Sequence, residues 1–287
     1  MTEVADGTIH LMVTSPPYPM IEMWDKQFGE LDRRIDDLWL QFGEEADMAR
    51  RQEIVGKLYD LMHEDLASVW REAYRVLVGG GLACINIGDA TRSINSVFRL
   101  FPNHVRIVEQ CEKIGFFTLP YILWKKPTTK PTYKGKGAFL GSGMLPPNAY
   151  VTLDCEFILI LRKGPPRKFN SKDPTRYSSR YTKAQRDEWF TQIWRVTGTK
   201  QSLSELERRA AAFPDEIPRR LISMFSIAGD TVLDPFLGTG TTMKAALELG
   251  RNSVGYEVDG RFKSLIEEKV NRAKIKFPRS ELEFFIR

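Results

Sequence analysis

Two apolar strands that each run into a turn of restricted chemistry constrain this chain more than any other feature of its 287 residues. The first, Ile9 to Val13, ends in Thr14-Ser15-Pro16-Pro17-Tyr18. A double proline lacks the backbone donors needed to continue a ladder or a helix, so Ser15 and Tyr18 are predicted to sit at a stiff strand end. The second, Thr231 to Leu233, runs into Asp234-Pro235-Phe236-Leu237-Gly238-Thr239-Gly240-Thr241-Thr242. Gly238 and Gly240 let the backbone approach a ligand closely at the C-terminal end of a strand, where open α/β sheets bind their ligands. Glu257 closes the next strand within Gly255-Tyr256-Glu257-Val258-Asp259, and an acid at that place can accept hydrogen bonds from ribose hydroxyls.

The rest of the pattern supplies the frame. Apolar residues recur at helical spacing from Gln52 to Val78, predicting a long amphipathic helix stopped by Gly79 to Gly81 and followed by a buried strand, Leu82 to Ile87. Ile21 to Arg51, charged and aromatic, is expected to form an irregular or helical lid. After Asn86-Ile87-Gly88-Asp89, with Asp89 placed to face a ligand cleft, come a polar loop, a helix from Asn103 to Gly115 and a strand from Phe117 to Lys125. A further strand is expected over Val151 to Leu161. The last third reads as helix Pro218 to Ser226, strand Thr231 to Leu233, helix Thr241 to Leu249, strand Ser253 to Glu257 and helix Arg261 to Lys276. Such alternation implies parallel βαβ units.

Charge is unevenly spread. Lys125 to Arg186 holds 14 Lys and Arg against 3 Asp and Glu, a net of +11 in a chain whose total is +5, so the remainder is net −6. A basic segment of this kind suits a surface that neutralises phosphates, and its loops also carry Tyr133, Phe139, Tyr150, Phe169, Tyr177 and Tyr181. Lys125, Lys126, Lys130, Lys134, Arg167, Lys168, Arg176 and Arg180 are the candidate phosphate contacts. Cys84, Cys111 and Cys155 are widely spaced and His10, His63 and His104 lack ligand spacing, so reduced thiols and no metal are expected. No apolar run is long enough to span a membrane and no basic region precedes the first apolar run, which points to the cytoplasm, at the nucleoid.

An exocyclic amine on a nucleobase donates its lone pair into the ring and is a poor nucleophile until acceptors pull its hydrogens out of plane. A serine hydroxyl and a proline carbonyl at fixed spacing suit that task, and an aromatic ring three residues on can stack on a base taken out of the duplex. The chain resembles the S-adenosylmethionine-dependent DNA amino-methyltransferases, which carry a D/N/S-P-P-Y/F/W catalytic motif and an FxGxG cofactor motif. The catalytic motif comes first here, the order of the circularly permuted class called beta. Nearly the whole chain is covered by the resemblance.

The resemblance implies an α/β, Rossmann-like methyltransferase fold with a seven-stranded, mostly parallel sheet, helices on both faces and a basic target-recognition insert. Residues 1–125 would form the catalytic half, 126–190 the recognition loops around an edge strand, 151–161, paired antiparallel with Phe117 to Lys125, and 191–287 the cofactor half. It implies catalytic roles for Ser15, Pro16, Pro17 and Tyr18, and cofactor contacts from Asp234, Pro235, Phe236, Gly238, Gly240, Thr241, Glu257 and Phe213. Phe213 lies in a stretch that crosses the cofactor pocket in the family, although Ala211-Ala212 replace the usual leading histidine and proline. Members also carry a segment before the catalytic strand with an aspartate near a glycine; Thr2 to Gly7 stands in that place.

Serine at the motif's first position favours N4 of cytosine in the family, with N6 of adenine the runner-up. Methylation at carbon 5 of cytosine is disfavoured, because no cysteine follows a proline to serve as its thiolate. Duplex DNA is the expected partner, and a restriction endonuclease acting on the same site is implied by resemblance. A DNA-binding protein with a degenerate cofactor site and an RNA methyltransferase are the competing readings.

Overall fold

A computed structural model describes residues 1–94, 97–126, 151, 153–197, 213–276 and 280–286. Among the described residues, eight strands form one sheet: β1 (Ile9–Thr14), β2 (Leu77–Ile87), β5 (Phe116–Lys125), β6 (Cys155–Lys163), β7 (Ile193–Trp194), β8 (Thr231–Asp234), β9 (Asn252–Glu257) and β10 (Leu282–Ile286). Their order is β10-β9-β8-β1-β2-β6-β5-β7, and every pairing is parallel except the two made by β6. The expected seven strands are therefore present with a two-residue strand, β7, added at the edge. β6 begins later than the sequence suggests and is not an edge strand, because it lies between β2 and β5, with β7 at the edge beyond β5.

Helices cover both faces. On one, α3 (Met48–Val76) and α4 (Asn103–Ile114) pack on Met12, Ile85, Ile87, Leu159 and Leu161. Two short helices, α5 (Pro174–Ser178) and α6 (Lys183–Trp189), follow β6. On the other face, α7 (Glu216–Phe225) and α8 (Thr241–Glu248) cover Leu11, Val13, Cys84, Ile158 and Val232, and α9 (Lys263–Lys276) packs on α8. Successive strand residues thus feed opposite cores. Full burial of each such aliphatic side chain contributes about 1.5–3 kcal/mol. No helix among the described residues is long and apolar enough to cross a membrane.

One local expectation is narrowed and two are corrected. The stretch Ile21 to Arg51 is mostly helical, as α1 (Glu22–Leu31), α2 (Arg33–Glu44) and the start of α3. The polar loop after Asp89 is an antiparallel hairpin, β3 (Ala90–Ile94) with β4 (Val97–Phe101). Helix α3 ends at Val76 without help from glycine: Leu77 is already extended, and the Lys163 ammonium donates to the carbonyls of Tyr74, Arg75 and Leu77, at 2.6, 3.3 and 2.8 Å. A cation there also complements the helix dipole.

Gly79 to Gly81 lie inside β2, and Gly80 is needed for space. Its φ is +80°, and a Cβ would stand 2.5 Å from the Arg167 backbone nitrogen and 2.7 Å from the Pro165 carbonyl oxygen. Gly80→Ala is expected to cost about 2–3 kcal/mol from left-handed strain and backbone overlap together. Gly79→Ala, whose Cβ would meet nothing within 4 Å, is the control, and urea unfolding of both variants checks the difference.

Candidate active site

The C-terminal ends of β1, β2 and β8 and the start of antiparallel β6 meet at one edge of the sheet. Thr14, the last residue of β1, donates its hydroxyl to Asp234 Oδ1 at 2.6 Å, which ties the proline turn to the glycine turn across 220 residues. Beyond it, Ser15 Oγ lies 3.2 Å from the Tyr18 hydroxyl. That hydroxyl donates to Glu156 Oε2 at 2.9 Å and accepts from Asn86 Nδ2 at 2.7 Å, and the same Asn86 amide reaches Glu156 Oε2 at 2.7 Å. Burial, then the Glu156 charge, push the Tyr18 phenol well above its ordinary range, so it stays protonated.

Gly88 makes this arrangement possible. A Cβ there would stand 3.0 Å from Tyr18 Cε2 and 3.3 Å from Glu156 Cγ, so a side chain would push the tyrosine ring off its path to the carboxylate. The loop beyond Tyr18 is held just as firmly. Asn103, fully buried, donates to the Pro19 and Gly88 carbonyls at 3.0 Å each, and its Oδ1 accepts from His63 Nε2 at 3.1 Å. Met20 has φ +64°, a rare conformation for a side chain of its size, and its carbonyl accepts from Arg92 Nε at 2.6 Å. Asp25 anchors Arg92 in turn.

The glycine turn is built from the other side. Asp234 Oδ1 also accepts from the Phe236 backbone at 3.1 Å, and the Leu237 N–H donates to the Tyr256 carbonyl at 2.8 Å. Gly238 and Gly240 adopt φ +54° and +80°, the second as the residue that caps the N-terminus of α8. Gly238 N–H donates to Glu257 Oε2 at 2.7 Å, and Asp259 N–H donates to Glu257 Oε1 at 2.9 Å. Burial raises both acids, Asp234 to about 6, and the Asp234 charge adds to the rise at Glu257. Phe236 meets Trp70 edge-on at 6.0 Å, while Thr241 is buried and Lys269 reaches its hydroxyl and that of Thr239.

Residues 9–268 match the family model described as DNA methylase, covering the N6 and N4 amino-methyltransferases. The chain belongs to that DNA methylase family. The Type II methyltransferase M.MjaI of Methanocaldococcus jannaschii is 64% identical over 270 residues, 94% of this chain and 88% of that protein. M.MthZI of Methanothermobacter thermautotrophicus, also a Type II methyltransferase, is 50% identical over 276 residues, 94% of this chain and 74% of that one. Among solved structures, a DNA modification methylase of Thermus thermophilus, in complex with S-adenosyl-L-methionine, is 31% identical with a TM-score of 0.68, over 99% of this chain and 93% of that one. S-adenosylmethionine is the methyl donor of this DNA methylase.

Its glycine turn suits that donor. Two left-handed glycines leave the backbone bare at a helix N-terminus, beside two buried acids, Asp234 and Glu257. Phe213 is buried in a core cluster with Ile217 and Leu221 of α7. Asp89 accepts from the His104 backbone and from His104 Nδ1 at 2.8 Å. Of Thr2 to Gly7, Asp6 pairs with Arg75 near the end of α3, and the Glu3 carboxylate accepts from the Tyr256 hydroxyl.

The expected phosphate contacts separate into two groups. Lys125 pairs with Asp154 at 3.2 Å and Lys126 with Glu156, both at the catalytic edge. Arg167 lies at the opposite edge, where its guanidinium grips Asp230 with two bonds of 2.6 and 3.0 Å just before β8. Arg176 stacks on Phe169 in the same stretch, where Lys168 and Arg180 also lie, and Ser179 Oγ accepts from Ala228 beside Asp230. The chain reverses in β6, so residues following it emerge away from Tyr18. Lys130 and Lys134 lie outside the described residues. Thr14, Asn86, Asn103 and Glu156 were not anticipated as site residues; the acid opening an apolar strand inside the basic segment was the available signal for Glu156.

Proposed function

We propose that this DNA methylase transfers the methyl group of S-adenosylmethionine to N4 of a cytosine flipped out of duplex DNA. The observation that carries this reading is the donor count at Ser15. Tyr18 has one hydroxyl proton, directed to Glu156, and its oxygen accepts from Asn86, so Ser15 must donate toward Tyr18. The Ser15 lone pairs are left to accept from an amine, with the Pro16 carbonyl as a second acceptor, and Pro17 stiffens the turn. The Tyr18 ring, held by its hydroxyl, is free to stack on the base.

When bound, S-adenosylmethionine supplies an electrophilic methyl group. Phe236, Pro235, Gly238, Gly240 and Thr241 line its methionine side, Asp234 takes its amino group and Glu257 its ribose. The part of the 126–190 segment that precedes β6 is the recognition region of a permuted chain, with Lys125 and Lys126 at its root contacting phosphates. By analogy with the Type II relatives, a restriction endonuclease acts on the same sequence.

The test is nucleoside mass spectrometry on DNA from a methylation-deficient host expressing the protein, with single-turnover assays beside it. N4-methylcytosine is expected, and Ser15→Ala should slow its formation at least about tenfold, the worth of one hydrogen bond of ~1.4 kcal/mol in the transition state. N6-methyladenine would overturn the choice of base and leave the loop chemistry standing.

A further inference from the structure

Transfer of a methyl group to a neutral amine leaves a surplus proton on that nitrogen. A carboxylate at the first position of the catalytic motif could take it, but a serine hydroxyl has no capacity to keep it at neutral pH. The hydrogen bonds around Ser15 run in one direction. Ser15 donates toward Tyr18, Tyr18 donates to Glu156 Oε2, and Asn86 fixes that polarity by donating to both acceptors. Glu156 is buried at the base of this chain, and Lys126 engages its other oxygen, Oε1, leaving Oε2 to the tyrosine.

We propose that Ser15, Tyr18 and Glu156 form a hydroxyl relay that carries the surplus proton of the methylated amine to the Glu156 carboxylate. The inference rests on the reading of Ser15 to Tyr18 as the loop that receives the base. As the nitrogen–carbon bond forms and the sulfur–methyl bond breaks, the amine proton passes to Ser15 Oγ, the serine proton to the Tyr18 oxygen, and the tyrosine proton to Glu156 Oε2. The sulfonium becomes a neutral thioether, the base is neutral again, and the carboxylate has become a carboxylic acid. Tyr18 never stores charge, consistent with its buried, protonated phenol. After turnover, Glu156 returns its proton to solvent through the Lys126 side, which is the exposed flank of the site.

The relay predicts a pattern that a purely structural role for Glu156 does not. Glu156→Gln keeps the shape and loses the proton acceptor, and Tyr18→Phe keeps the ring and loses the link. Methyl transfer is to be followed in single turnovers with plasmid DNA from a methylation-free host, in H2O and D2O. Each variant should slow transfer roughly 10–100-fold, in the range of general-base removal, and the double variant should be no slower than the slower single. The wild-type solvent isotope effect should change in both singles, while calorimetric affinity for S-adenosylmethionine stays within about twofold. Wild-type speed in Glu156→Gln, multiplying losses in the double variant, or losses that follow weakened cofactor or DNA binding would each overturn the relay. Tyr18→Phe carries the test alone if Glu156→Gln does not fold. A product identified as N6-methyladenine would refute the N4 assignment only, because the rate comparison decides the relay for either base.

Discussion

Asn103→Ala is expected to lower the unfolding free energy by about 3–4 kcal/mol and to slow methyl transfer roughly 100-fold. The side chain is fully buried and makes three hydrogen bonds, two to backbone carbonyls and one from His63. Alanine leaves the Pro19 and Gly88 carbonyls and the His63 N–H without their buried partner, and each unpaired group costs on the order of 1 kcal/mol or more. His63 gives no compensation by ionising, since burial pushes it down to about 4. The catalytic loss follows from which carbonyls are released. Pro19 adjoins Tyr18, and Gly88 is the residue whose bare Cα lets the Tyr18 ring reach Glu156. Met20, strained at φ +64°, would relax once its neighbour is free, carrying Tyr18 off its position. Urea unfolding and single-turnover rates measure the two effects. A variant that loses stability but keeps its rate would show that Arg92, through the Met20 carbonyl, holds the loop alone.

The two turns were legible because their chemistry is restrictive: a double proline and two closely spaced glycines each admit few backbone solutions. Helix α4 could be read to its end because Gly115 takes the left-handed cap, at φ +117°, that a terminal glycine announces. The end of α3 could not, since the group that satisfies its carbonyls, Lys163, arrives from β6 nearly ninety residues later. Gly80 looked like a helix stop for the same reason; the Pro165–Arg167 backbone that excludes a side chain there comes from the distant loop after β6. β7 was missed because a strand of two residues carries no alternation to register, and β10, though longer than β8, has no adjoining turn motif to mark it.

In the site, the motif residues were readable and their supports were not. Ser15 and Tyr18 belong to a recurring pattern, but Glu156 looked like a minority acid in a basic segment, and only the antiparallel return of β6 delivers it to the catalytic edge. Arg167 errs in the opposite direction. Composition placed it with the phosphate contacts, yet the same reversal carries it to the far edge of the sheet, where Asp230 occupies its guanidinium. Charge along a sequence says how many cations a segment holds, whereas strand direction decides which end of the sheet they reach.

Asp234→Asn is expected to make the cofactor-free protein more stable at pH 8 and to weaken S-adenosylmethionine binding about 100-fold, a separation of stability from function. Burial holds the carboxyl at about 6, above its ordinary unfolded value, despite hydrogen bonds from Thr14 and Phe236 that favour the ionised form. The sign follows from proton linkage. The folded state binds this proton more tightly than the unfolded chain, so stability from this group is fully present below the unfolded pKa and is lost as pH rises through about 6. At pH 8 the penalty for the buried charge is complete, on the order of 2–3 kcal/mol. Asparagine removes the charge and keeps an oxygen for Thr14 and Phe236, so the variant should gain most of that amount at pH 8 and nothing near pH 4. Difference measurements against wild type cancel the titration of every other acid. On the proposed role of Asp234 in holding the cofactor's cationic amino group, binding responds oppositely: wild-type affinity should fall as pH drops through about 6, and the variant should show weak, pH-independent binding over the same interval. Urea midpoints and calorimetry at pH 5 and pH 8 settle both halves. Equal stability gaps at the two values would refute the buried charge, and wild-type affinity in the variant would free Asp234 from the cofactor and leave it only the task of joining Thr14 to the glycine turn.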